Sequence, residues 1–157
     1  MSNSSPFAAS IFDERQEWVE RQAARGVVTD SPKAILRLEG AAVLAAASAA
    51  YSQVGSGWAL FAVLFLVPDI SMLGYLMGRR IGTVIYNLGH SYILAVTLGA
   101  VGLLLSQNLL VALSLIWVAH IGFDRMLGYG LKYPTAFGHT HLGVVGKLKR
   151  DLDASGA

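Results

Sequence analysis

The chain has no cysteine and little charge: 14% of its 157 residues are Asp, Glu, Lys or Arg. The first absence excludes a disulfide framework and thiolate metal sites. The second argues against an ordinary soluble domain, in which roughly a quarter of the residues are charged. The net charge of +2 is small and no Lys/Arg-rich run is interleaved with aromatics, so no nucleic-acid partner is expected. The first 34 residues hold neither an apolar core nor a small-residue cleavage site, so no cleaved signal peptide is expected.

Apolar residues are what the chain has in quantity. They make up 54% of it, with a mean hydropathy of +0.53, and they stand in long blocks rather than in amphipathic stripes. Four blocks, at 33–51, 58–77, 81–105 and 108–127, read as helices. The last three hold about 20 residues or more, enough to cross roughly 30 Å of hydrocarbon. The first is alanine-rich and carries Arg37 and Glu39, so a re-entrant or interfacial helix is its alternative. Short connections at 52–57 and 106–107 make their flanking helices antiparallel neighbours.

The expected fold is therefore all-α, a polytopic membrane protein built as a four-transmembrane-helix up-down-up-down bundle. An N-terminal amphipathic surface helix precedes it, over about 10–26, where Ile11, Phe12, Trp18 and Val19 share one face. The divisions are 1–31 for the N-terminal segment, 32–128 for the bundle and 129–157 for the tail. All 12 Lys and Arg residues fall at one end, and the positive-inside rule makes that end cytoplasmic, with both termini, in a bacterial inner (plasma) membrane. Tyr51 and Trp58 are expected at the opposite interface. Gly74, Gly78, Gly82, Gly89, Gly99, Gly102 and Gly122 suit close helix packing inside the bundle, with a homo-oligomer through the same faces as the alternative.

Ionisable groups inside a membrane span are costly and mark candidate sites. At 1.5 Å per residue, Asp69 and His90 lie roughly 12–14 Å from the basic interface, His120 about 10 Å, and Glu39 and Asp124 about 5 Å. His120 and Asp124 are four apart, and Asn87 and His90 three apart, so each pair shares a helix face. Pro68 is expected to bend the second helix beside Asp69. Asp69, His90, His120 and Asp124 suit a single zinc or iron ion, with Glu39 or Asp69 placed for catalysis. The alternative is a metal-free hydrogen-bond network, with Glu39 paired to Arg37 or Arg79 and Asp124 to Arg125 or Arg80; haem between His90 and His120 is disfavoured by the carboxylates. His139 and His141 are expected in a solvated loop.

The motifs Leu38-Glu39-Gly40, Pro68-Asp69-Ile70-Ser71, Tyr86-Asn87-x-x-His90, His120-Ile121-Gly122-x-Asp124-Arg125 and Thr140-His141-Leu142-Gly143 resemble domain-of-unknown-function family 4260, small bacterial membrane proteins. The resemblance covers roughly 36–143 and implies a polytopic membrane protein, but assigns no residue a role. Three functions stay open. They are a metal-dependent membrane enzyme acting on a small-molecule or lipid substrate, a transport or proton-relay protein, and a structural or accessory subunit.

Overall fold

A computed structural model describes residue 28 and residues 30–54, 56–146 and 149–150. The expected surface helix over 10–26 lies outside them. Four helical stretches are long and apolar enough to cross a membrane: Ser31–Val54, Trp58–Met77, Arg79–Leu104 and Asn108–Leu127. Within them lie α1 (Asp30–Val54), α2 (Trp58–Leu64), a 3₁₀ segment (Val67–Met77), α3 (Arg79–Gly89), α4 (Tyr92–Leu104) and α5 (Asn108–Leu127). The all-α bundle of the sequence is present, with α1 and α4 packed along α5 and α3 along the 3₁₀ segment.

Glycines set the closest approaches. A Cβ on Gly40 would meet Met126 N at 2.6 Å and Gly122 O at 2.8 Å, and one on Gly122 would meet Leu44 N at 2.8 Å. The α1–α5 crossing is thus backbone against backbone, which only missing side chains allow. Gly99 and Gly102 do the same for α4 against α5, facing Ser114 and Val111. Gly78 has another use: with φ +107 it turns the chain between the 3₁₀ segment and α3, and packs against nothing within 4 Å.

Two spans differ from the continuous helices read in the sequence. In the second, Pro68 has no N–H to give and its ring crowds the preceding turn. The chain leaves the α-helix at Leu64 and winds with three residues per turn from Val67 to Met77. Three straight rows result. Pro68, Ser71 and Gly74 pack on α3, where a Cβ on Gly74 would press on Ile85. Val67, Ile70, Leu73 and Leu76 are all exposed apolar residues, the row that lipid covers. Asp69, Met72 and Tyr75 form the third.

The third span breaks at His90–Ser91, where Ser91 is extended (φ −101, ψ 145). Gly89, His90 and Ser91 are poor helix formers in sequence. A break at this depth frees carbonyls that lipid cannot satisfy. The last helix supplies the donors: Trp117 Nε1–H donates to Gly89 O at 2.6 Å, and Arg125 Nη2–H to His90 O at 3.1 Å.

At the end away from the basic residues, Tyr51 is buried rather than interfacial. Its hydroxyl donates to Gly57 O at 2.7 Å, and it packs with Ala112 and Ile116. Trp58, Phe61 and Phe65 continue this aromatic packing inward to His120, whose ring meets Phe65 edge to face at 5.4 Å. Trp58 remains exposed.

Gly122→Ala is expected to cost about 1–3 kcal/mol through overpacking of the α1–α5 crossing. Unfolding in mixed micelles measures it, and Ala45→Leu on an exposed face of α1 should stay within about 0.5 kcal/mol.

Candidate metal centre

Three elements deliver the polar cluster. The 3₁₀ segment brings Asp69, the broken end of α3 brings His90, and one face of α5 brings His120 and Asp124. His90 and His120 are 1% and 2% exposed. Their Nε2 atoms lie 3.3 Å apart. Asp69 Oδ1 is 3.5 Å from His90 Nε2 and 3.8 Å from His120 Nε2. Asp124 Oδ2 is 3.5 Å and 4.0 Å from the same two nitrogens.

These distances carry chemical information. Ligand atoms bound tetrahedrally at about 2.0–2.1 Å from one ion are about 3.3–3.4 Å from one another. The two imidazole nitrogens and the Asp69 oxygen lie 3.3–3.8 Å from one another, at or slightly above that edge length, and are the set compact enough for one ion; Asp124 Oδ2 reaches the two nitrogens at 3.5 Å and 4.0 Å. The donor set, nitrogen and hard oxygen without sulfur, suits zinc or iron.

The surroundings orient the ligands. His90 Nδ1 lies 3.0 Å from Tyr86 O; with the proton on Nδ1, the Nε2 lone pair faces the cluster. Ser71 Oγ also approaches His90 Nδ1, at 3.4 Å, and the Tyr86 ring stacks on the His90 ring at 3.9 Å. The Tyr86 hydroxyl donates to Asp124 Oδ2 at 3.5 Å. His120 Nδ1 is buried without a hydrogen-bond partner.

The ion pairs offered as the metal-free alternative do not form. Among the described residues, the groups within 4.0 Å of the Asp69 and Asp124 carboxylates as ion-pair partners are the two histidines. Arg125 spends its guanidinium on the carbonyls of His90 and Tyr129, Arg37 on Met126 O and Arg79 on Thr135 O. Two carboxylates thus share a small volume with two imidazoles and no arginine or lysine in contact.

A family model for a domain of unknown function (DUF4260) matches residues 33–145. The chain belongs to the DUF4260 family. No curated protein and no solved structure matches it. The DUF4260 region encloses all four clustered residues and the segment that follows α5.

Glu39, expected near the cluster, is exposed on α1 and is not brought to it. Asn87 turns the other way from His90. Its Nδ2 donates to Lys132 O at 2.9 Å and its Oδ1 accepts from Lys132 N at 2.7 Å, so it copies a strand partner for the chain after α5.

That chain is not the solvated loop expected for His139 and His141. His139–Thr140 and Gly143–Val144 pair as β1 and β2, and Lys132 bridges to Thr140. His139, Thr140 and Leu142 are buried, and His141 Nδ1 accepts the Leu131 N–H at 2.9 Å. A run of only a few residues rich in Gly, His and Thr shows no periodicity from which a sequence reading could find this hairpin.

Lys132 is the residue sequence reasoning missed. It is 6% exposed, with Nζ 3.3 Å, 4.2 Å and 5.5 Å from the ring centroids of Phe137, Tyr86 and Tyr75. The Tyr86 ring therefore touches both His90 and Lys132. Burial pushes the lysine pKa from 10.5 down to about 8, against the opposite pull of Asp124 and Asp69. Between these values the unfolded chain binds the proton that the folded one releases, so stability rises as pH goes from about 8 toward 10.5. Thermal unfolding in detergent across that window should show the rise, and Lys132→Met should flatten it.

Proposed function

We propose that this DUF4260 protein is a membrane-embedded metal-dependent enzyme. A single divalent zinc or iron ion would be held by Asp69, His90 and His120, with Asp124 a further donor beside the two histidines and one position left for water. The observation that supports it is the convergence of two Nε2 atoms and Asp69 Oδ1 at 3.3–3.8 Å, the spacing of a shared ion, with Asp124 Oδ2 3.5 Å and 4.0 Å from the same nitrogens. A divalent cation also offsets the charges of the two carboxylates, of which Asp124, 14% exposed, is the costlier to leave uncompensated. Asp69 has 38% of its side chain exposed against 14% for Asp124, so water or substrate would reach the centre from the Asp69 side.

The chemistry this supports is metal-assisted hydrolysis, in which the ion lowers the pKa of a bound water and polarises the substrate oxygen. The Asp69 carboxylate, on that accessible side, would take the proton from the water. A continuous transport path is less well supported: on the far side of His120 the interior is filled by Phe65, Phe61, Tyr51 and Trp58. The basic end faces the cytoplasm of a bacterial inner membrane by the positive-inside rule.

Elemental analysis of detergent-purified protein tests the centre. One equivalent of zinc or iron is expected, and less than about a tenth of it in His120→Ala and Asp69→Asn, because removing a ligand costs at least as much as the 10–100-fold lost with an outer-shell partner. A well-folded wild type that takes up neither ion after metal reconstitution sinks the reading. A carboxy-terminal fluorescent fusion tests the orientation, since a protein that matures only in the cytoplasm should fluoresce there.

A further inference from the structure

A cavity of about 690 Å³ opens between α3 and the segment after α5. Its α3 wall is Arg80, Thr83, Val84 and Asn87, spaced i, i+3, i+4, i+7 and so forming one helix face. The opposite wall includes Lys132, Tyr133 and His141. The volume is that of a small-molecule site.

The charge of the walls is one-sided. None of the nine lining residues is acidic. Asn87 has committed its carbonyl oxygen to Lys132 N–H. His141 accepts the Leu131 N–H at Nδ1, so the neutral ring carries its own proton on Nε2, as a donor. Burial and the Arg125 charge both push the His141 pKa down, which keeps that neutral form. Arg80 adds a planar guanidinium fork, whose geometry matches phosphate oxygens better than a point charge would.

The position adds a second constraint. The cavity lies along the first turns of α3, immediately inside the basic end of the bundle. One lip, Val84, is an apolar residue 59% exposed, within the apolar stretch Arg79–Leu104. A cavity lined by cations and no acid, with an apolar lip near the basic end, is matched to a phosphate group at headgroup depth.

We propose that the cavity between α3 and the hairpin segment is a phosphate-binding site, for an anionic lipid headgroup or a free phosphate. Arg80 grips the oxygens and the His141 imidazole N–H completes the contact. The Lys132 ammonium contributes its charge from the aromatic cage. This site does not depend on the metal centre.

The test uses full-length, delipidated protein in a neutral detergent with a chelator present, so that its outcome is read apart from that of the metal centre. Binding of phosphatidic acid, of diacylglycerol and of inorganic phosphate is titrated by native mass spectrometry. Saturable one-to-one binding of phosphatidic acid, or of inorganic phosphate, without binding of diacylglycerol is the expected result. Phosphatidic acid alone identifies a lipid headgroup, and inorganic phosphate binding as well identifies a free anion. Arg80→Gln should weaken binding at least tenfold. Val84→Trp, which fills the lip and removes no charge, should do the same and guards against a folding defect at Arg80. Lys149→Gln, an equal charge loss outside the cavity, should stay within twofold. Binding of neither phosphate probe, or equal binding by the Arg80→Gln and Lys149→Gln proteins, overturns the proposal.

Discussion

The constraint on which the rest depends is that a helix broken inside lipid must find donors for its freed carbonyls. In this protein the third span breaks at His90–Ser91, and α5 answers with the indole of Trp117 and the guanidinium of Arg125. Those two side chains sit on either side of His120 along α5. The bonds that repair the break therefore also fix the distance and rotation between His90 and His120. Because Trp117, His120, Asp124 and Arg125 belong to one helix, the repair and the candidate ligands move as a unit.

α5 can serve this way because its neighbours come close. Gly40 and Gly122 bring α1 to backbone contact on one side, and Gly99 and Gly102 bring α4 on another. Small residues are a common means of packing helices where no hydrophobic effect separates protein from solvent. The glycines that suggested an oligomer surface are largely covered from within the chain. Pro68 performs a complementary task, trading an α-helix for a 3₁₀ run whose row of Pro68, Ser71 and Gly74 seats on α3 and turns Asp69 to the histidines.

Much of this was legible in the sequence for a simple reason. Long apolar blocks and intramembrane carboxylates are unusual enough to declare themselves, so the spans and the set Asp69, His90, His120 and Asp124 could be read before any coordinates. Depth counted at 1.5 Å per residue placed Asp69, His90 and His120 within about 4 Å of one another and Asp124 nearer the basic end, and a 3₁₀ rise near 2.0 Å moves Asp69 roughly 4 Å farther in. Glu39 misled because depth fixes height in the membrane but not direction around the helix. Asn87 misled for a related reason: three residues from His90 it shares a face, yet its amide found a better partner in the Lys132 backbone. Lys132 and the hairpin had no periodic pattern to betray them, since two-residue strands and an aromatic cage depend on tertiary contacts alone.

The 3₁₀ run has a further consequence. With exactly three residues per turn its rows neither drift nor blend, so every position belongs wholly to the packed, the lipid-facing or the polar side. Slipping the segment by one residue rotates it by about 120° and exchanges entire rows. Ile70 would then replace Asp69 before the histidines, and Asp69 would take the place of Pro68 against α3. An α-helix subjected to the same slip would turn by about 100°, and with 3.6 residues per turn its rows would not fall back into register. Here a single inserted or deleted residue acts as a discrete permutation of roles, which makes the length of chain between Trp58 and Pro68 as much a part of the site as the aspartate itself.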